Sequence, residues 1–447
     1  MQHAEQTETA EHAHAVDRTA EVVVIGGGFA GLALAEELGK AGRDVLVIDR
    51  QNHHLFQPLL YQVATAALSS TEIAEPIRKI LRRRRSVRVL MGEVSGLDPE
   101  ARKLWLRSGE EIGFRLLVVA SGATHGYFGH DDWAKWAPGL KSLEDARRIR
   151  SQILLAFERA ERCPDPEEVR RLLSIVIVGG GPTGVELAGS IAELSRHTLA
   201  RDFRHIDPAQ TCITLIEAGP RLLAGFSEEA SDFAARRLAR LGVTVRTGAL
   251  VEDVGPEGVT VAGQALPAGA VIWAAGVAAS PLARDLGETD RSGRIAVDPT
   301  LAVPGHPGIY ALGDIAACPG PDGRPLPGLA QVAKQQGQHL GRELVRHLQT
   351  GAAPAPFTYH SRGNTAIVGR HAAVFEGRRV RWRGWFAWLG WAVIHVYLLV
   401  GFRNRTLVSV QWLWRYLTYE RGARLIADDR PDPAAPAEAT TPRPPTE

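Results

Sequence analysis

The sequence predicts an α/β chain with two similar parallel-sheet units, the second inserted in the first. Three observations predict it: an apolar run that stops on a G-x-G-x-x-G turn at 26–31, the same device at 179–184, and a late Gly313-Asp314 pair closing a third apolar run. At each glycine turn a strand-like run leads in, a helix-forming stretch leads out, and a second strand ends on an acid. That is the arrangement of a Rossmann-type dinucleotide-binding domain. The two turns lie 153 residues apart, and their joint occurrence is far more specific than either alone.

In the first unit, residues 21–25 form a short apolar run suited to a central parallel strand. Gly26 permits a tight turn, Gly28 lets the backbone approach a pyrophosphate, and Gly31 allows close helix–strand packing. The helix that follows offers unpaired N–H groups and a positive dipole end to phosphate. Residues 44–48 then form a strand ending on Asp49, 21 positions after Gly28, where a ribose-binding carboxylate is expected.

In the second unit, residues 174–178 lead into Gly179, Gly181 and Gly184, then a helical stretch to 194. The strand at 212–216 ends on Glu217, which is 36 positions past Gly181. That gap is long, so 195–210 is expected to extend the helix or add a surface turn. A carboxylate at 217 suits the ribose hydroxyls of NAD and repels the 2′-phosphate of NADP; Arg221 stands close enough to complicate the preference. Small-residue turns close strands at 115–123 and 270–277. Gly313-Asp314, arriving after the second unit, is expected to finish the first site, with Asp314 facing a ribityl hydroxyl. The expected domains are 21–140 with 285–345, then 141–284, then a C-terminal region at 346–427. A disordered leader (1–20) and tail (428–447) flank them, both too polar to offset the entropy of ordering.

Composition removes several alternatives. The formal charge of +2 makes no case for nucleic acid, and the first 20 residues lack the apolar run of a secretory signal. Cys163, Cys212 and Cys318 are far apart, with no C-x-x-C, so a disulfide framework, a metal site and a dithiol redox centre are not expected.

Taken together, the two glycine motifs, the small-residue turns and the late Gly-Asp resemble the two-dinucleotide-binding-domain flavoproteins over residues 21 to about 345. The resemblance implies FAD at Gly26, Gly27, Gly28, Phe29, Ala30 and Gly31 of the first turn and at Asp49 and Arg50. Later residues implied for FAD are Val94, Asp314, Ala330 and Gln331. It implies NADH at Gly179, Gly181, Gly184, Glu217 and Gly276. Disulfide reductases of that family, and sulfide:quinone reductases, need cysteines that this chain lacks. Three further stretches, at 52–62, 182–189 and 324–337, resemble the single-subunit type II NADH dehydrogenases, which pass electrons from NADH through FAD to membrane quinone without pumping protons. Ala330-Gln331-x-Ala333-x-Gln335 is the most specific of these signs.

Gln331 and Gln335 are four apart, so they share a helix face, and neutral amides suit both carbonyl and hydroxyl forms of a quinone. In isolation they would be an ordinary polar face; the resemblance makes them the expected quinone-site residues. Glu186, two residues after Gly184, is implied as catalytic, although a helix N-terminus favours an acid for electrostatic reasons alone. His53 and His54 are candidate proton handlers, but solvated loop histidines are commoner, and no role is assigned to them.

Six of the ten tryptophans fall between Trp382 and Trp414, and those at 382, 385, 388 and 391 recur every three residues as if along one helix side. Arg378, Arg379, Arg381 and Arg383 precede a stretch that Arg403 and Arg405 follow. Tryptophan with flanking arginine marks a membrane interface; the length also meets that of a span, about 18 residues. The resemblance favours monotopic attachment with the dinucleotide domains on the cytoplasmic side, and leaves a homodimer open. Arg82–Arg85 reads as a solvated helix end. Two other readings compete: a soluble NADH-dependent reductase of an iron–sulfur protein, marked by activity confined to the soluble fraction, and a slow flavin-binding sensor, marked by reduced flavin that quinone does not reoxidise.

Overall fold

The computed structural model describes residues 19–398, 406–410, 412, 414 and 423–426. The tail at 428–447, Arg403 and Arg405 lie outside the described residues, as does the expected leader up to 18. Its last two residues belong instead to the first strand, Thr19–Ile25, where Ala20 is buried opposite Phe114.

The first sheet runs Val87–Met91, Val45–Asp49, Thr19–Ile25, Glu111–Val119, Lys103–Leu106, Val94–Asp98. Ile309–Ala311 adds in parallel beside Glu111–Val119, with Ile309 opposite Leu117. Val22, Val23 and Val24 have no exposed surface, as expected of a strand covered on both faces. Phe29–Lys40 follows the glycine turn, and Ala330–Thr350 packs against it. Glycine permits that contact: a Cβ on Gly337 would stand 2.1 Å from the Ala30 carbonyl oxygen, and one on Gly341 would stand 2.8 Å from Cβ of Glu37.

The second sheet is parallel throughout, in the order Val243–Thr247, Cys212–Glu217, Ser174–Val178, Ala270–Trp273. The long gap before Glu217 has a local cause. Helix Pro182–Glu193 continues as a π-helical turn, Leu194–Thr198, then a 3-10 turn, Leu199–Arg201, with a further 3-10 turn at Pro208–Gln210. Val277–Ala279 then pairs antiparallel with Ala123–His125, joining the two sheet systems.

The cores do not follow the expected domain bounds. Ala279, Leu282 and Ala283 pack in the first core, whereas Phe56, Leu59, Leu60 and Ile73 pack in the second. The C-terminal region forms a three-stranded antiparallel sheet, Asn364–Ile367, Ala373–Glu376 and Arg381–Gly384, followed by helix Trp385–Leu398. The expected tryptophan face needs correction. Trp382 is on a strand, and Trp391 is 2% exposed, stacked on Trp412 at 5.0 Å. A three-residue repeat drifts around a helix of 3.6 residues per turn, so these rings do not share a face. The exposed side of the helix carries Trp385 with Phe386, Leu389, Val393 and Tyr397. Among the described residues no helix is long and apolar enough to cross a membrane.

Candidate active site and nucleotide clefts

Both glycine turns are built alike. Gly26 and Gly179 hold φ of +103° and +110°, a region open to glycine. A Cβ on Gly31 would lie 1.9 Å from the Gly26 carbonyl oxygen, and one on Gly184 would lie 1.8 Å from that of Gly179. Gly28 and Gly181 are different: a Cβ on either meets nothing within 4 Å. The packing requirement therefore sits on the first and last glycines of each turn, and the open approach sits on Gly28 and Gly181.

The acids also match. Asp49 accepts hydrogen bonds from N–H of Gly27 (2.6 Å) and Gln51 (2.7 Å). Glu217 accepts from N–H of Gly180 (2.6 Å) and Gly219 (2.6 Å). Each carboxylate is thus fixed across its own turn, with lone pairs remaining for ribose hydroxyls. Burial pushes the Asp49 carboxyl up from its ordinary value against the pull of those two N–H groups. Arg221 is committed elsewhere: its guanidinium donates to the carbonyls of Leu223, Ala224 and Phe226.

A cleft of about 790 Å³ opens at the first turn. Gly26, Gly27, Gly28, Phe29, Ala30, Asp49, Arg50, Asp314 and Ala330 all line it. Gly31 is buried behind the turn, Val94 packs in the first core, and Gln331 faces the C-terminal sheet. Lys141, which the sequence did not single out, also lines the cleft, with Nζ 4.0 Å from Oδ2 of Asp314. Burial draws this ammonium below its usual pKa, and Asp314 opposes the shift. His54 is no solvated loop residue. It is 3% exposed, with Nδ1 3.1 Å from the Gly27 carbonyl and its ring edge-on to Phe29 at 5.0 Å. Burial lowers its pKa to about 4.

Around the second turn, Gly276 holds φ of +72° three residues after strand Ala270–Trp273. A Cβ on Gly179 would lie 2.7 Å from the Ala274 carbonyl, so Gly276 is two residues from direct contact with the glycine turn.

Glu186 is the fifth residue of helix Pro182–Glu193, just past its first turn, and its Oε1 accepts from Ile367 N–H at 3.3 Å. Burial raises its pKa to about 8, outweighing that hydrogen bond. The shift favours the protonated form, and past the first turn the helix dipole does little to oppose it.

Gln331 and Gln335 share a face as expected, yet their amides are occupied by backbone. Gln331 donates to Gly363 O (3.0 Å) and accepts from Arg362 N–H (3.1 Å). Gln335 donates to His360 O (3.0 Å) and accepts from His360 N–H (3.1 Å). Both act as strand-like clamps on residues 360–363. Gln336, 1% exposed, was not expected at the site, yet it accepts from Gly313 N–H at 2.7 Å and so fixes the turn that carries Asp314. The third amide of the same glutamine-rich helix start was the only sequence sign of it.

Residues 20–337 match the family described as pyridine nucleotide-disulphide oxidoreductase. The chain is 42% identical over 429 residues to type II NADH:quinone oxidoreductase Ndh of Mycobacterium tuberculosis, covering 92% of this chain and 91% of the relative. It is 40% identical to NdhA of the same organism, over 91% and 89% of the two chains. Among solved structures, NDH2 of Plasmodium falciparum in complex with NADH superposes with a TM-score of 0.84 at 21% identity, over 92% of this chain and 100% of that one. The chain belongs to the pyridine nucleotide-disulphide oxidoreductase family and, within it, to the type II NADH:quinone oxidoreductases.

Proposed function

We propose that this chain is a membrane-attached enzyme that moves two electrons from NADH to a membrane quinone in a respiratory chain, without proton pumping. The observation that carries the reading is the duplicated turn: two matched glycine loops, each with its own acid clamped across it. FAD belongs in the first cleft. Open space at Gly28, lone pairs remaining on Asp49, and the Lys141–Asp314 pair fit a dinucleotide whose pyrophosphate approaches backbone N–H groups. Bound FAD supplies two-electron redox chemistry, while the protein's part is binding and orientation.

NADH is assigned to the turn at 179–184, Glu217 and Gly276, in a unit inserted between the strands of the first. The committed guanidinium of Arg221 leaves Glu217 to repel a 2′-phosphate, so NADH is preferred over NADPH. Glu186 is the proton-holding group of the reaction. Gln331 and Gln335 serve the quinone side by fixing residues 360–363. Attachment is monotopic, through the exposed apolar face of Trp385–Leu398, with the dinucleotide domains on the cytoplasmic side.

Detergent-purified protein tests this reading through its visible spectrum and its oxidation of NADH and NADPH with a short-chain quinone. A yellow protein that reduces quinone with NADH at more than ~10 times the kcat/KM for NADPH, a difference of about 1.4 kcal/mol, is expected. A colourless protein would overturn it.

A further inference from the structure

Phe128 is the least comfortable large residue near the second glycine turn. It is 75% exposed and holds φ of +54°, a left-handed conformation that a bulky aromatic rarely adopts. Neither burial nor a flexible chain end accounts for this. The loop is pinned on both sides: Gly126 N–H donates to Gly276 O (3.4 Å), Trp273 Nε1–H donates to Gly126 O (3.0 Å), and Tyr127 Oη donates to Ala137 O (2.9 Å). A strained, exposed ring on an anchored loop points to a function that requires the strain.

Its position says which. A Cβ on Gly276 would meet the Phe128 ring at 2.9 Å, so the ring lies directly over that turn, edge-on to Trp273 at 6.3 Å. In the second sheet the strand Ser174–Val178 lies between Cys212–Glu217 on one side and Ala270–Trp273 on the other. A dinucleotide crosses the carboxyl ends of such strands. With its adenosine ribose on Glu217, its nicotinamide half falls on the opposite side, over residues 274–276.

We propose that Phe128 is a stacking residue for NADH, covering the nicotinamide half of the bound molecule where it crosses Gly276. This rests on the assignment of NADH to the turn at 179–184. With the positive φ the ring stands exposed beside Gly276, and the apolar surface left open there is then covered by the substrate. Aromatic stacking supplies both affinity and ring orientation.

Calorimetric titration of the oxidised holoenzyme with NAD+ and with ADP-ribose, which lacks the nicotinamide ring, tests the assignment. Phe128→Ala is expected to weaken NAD+ by about five- to tenfold while ADP-ribose changes by less than about twofold. Phe128→Trp is expected to bind NAD+ as wild type does. Phe128→Gly, which removes the ring and the strain together, is expected to lose NAD+ affinity as alanine does while melting at or above the wild-type temperature. Unchanged NAD+ binding in Phe128→Ala, or an equal loss for ADP-ribose, overturns the stacking role and leaves the site itself standing. Wild-type protein that binds neither ligand overturns the site and the stacking role together.

Discussion

At the scale of single residues, the two glycine turns separate a folding requirement from a binding requirement. Gly28 is extended, with φ −74° and ψ −162°, and nothing stands within 4 Å of its missing Cβ. Gly28→Ala is therefore expected to fold with a melting temperature within a few degrees of wild type yet to lose FAD, read as the visible absorbance retained after gel filtration. Gly31→Ala drives a Cβ into the Gly26 carbonyl and is expected to cost about 1–3 kcal/mol or more of stability, seen as a lowered melting temperature. If both variants behaved alike, the division of labour would be wrong. Glu186 makes a second prediction at this scale. Its folded pKa is raised from 4.5 to about 8, so the folded state keeps the proton longer than the unfolded one. Its contribution is then fully present below the unfolded value and is lost as pH rises through the folded one. Glu186→Gln, permanently neutral, is expected to match wild type in melting temperature near pH 5 and to exceed it near pH 9, by about 2–4 °C for each kcal/mol recovered. A constant difference across that range would mean that the carboxyl is not held neutral.

At the scale of elements, helix Ala330–Thr350 is a brace as much as a site. One face meets the first glycine helix through Gly337 and Gly341, while the side chains of Gln331, Gln335 and Gln336 hold two separate backbone segments. Gln335→Leu breaks both bonds to His360 and is expected to cost about 1–3 kcal/mol, from two hydrogen bonds of ordinary strength. The same variant is expected to raise KM for quinone while leaving KM for NADH unchanged. A raised quinone KM with no change in stability would show direct contact rather than positioning. Helix Trp385–Leu398 has a different character. Ala387, Trp391 and His395 face inward, and Phe386, Leu389, Val393 and Tyr397 face outward, apolar on both sides. A helix whose outer face is apolar is suited to a lipid interface, and Arg381 and Arg383 precede it. Val393→Asp combined with Phe386→Asp is expected to release the protein from vesicles in a flotation assay, with NADH reduction of the bound flavin unchanged. Continued flotation would place the attachment elsewhere.

At the scale of the whole molecule, what the sequence made legible was local and repeated. The strand, glycine turn, helix and acid of each unit are written within some 40 residues, and Asp49 and Glu217 end their strands and bond back to the glycine turns, although the gap before Glu217 is long. What stayed hidden depended on contacts between distant segments. Nothing near Lys141 signals that it faces Asp314, and nothing in a glutamine signals whether its amide meets a quinone or a backbone. The tryptophan period misled because Gly384 ends a strand between Trp382 and the helix. His54 is hidden for the same reason, since its ring is buried against the first glycine turn, by Phe29 and the Gly27 carbonyl. That burial exposes a link across the molecule. Rings run from the first glycine turn to the last helix: Phe29 to His54 at 5.0 Å, Phe29 to Phe56 at 5.9 Å, and Phe56 to His395 at 6.1 Å. His54 and His395 are both buried, and burial lowers each pKa from 6.5 to about 4. Around His54, Lys334 and His53 add to the lowering, and the Gly27 carbonyl opposes it; around His395, the Trp391 carbonyl opposes it. As pH falls below 6.5 the unfolded chain takes up two protons that the folded chain refuses, so the stability they contribute is present above 6.5 and is lost toward pH 4. Between those limits the loss reaches at most about 2.7 kcal/mol per pH unit, two protons' worth. His395→Phe, which keeps the ring and removes the titration, is expected to halve that slope in chemical denaturation at stepped pH. Because the rings connect the FAD turn to the apolar helix, flavin release and loss of vesicle binding are expected to share one acid midpoint. Two separate midpoints would show that the turn and the helix fail independently.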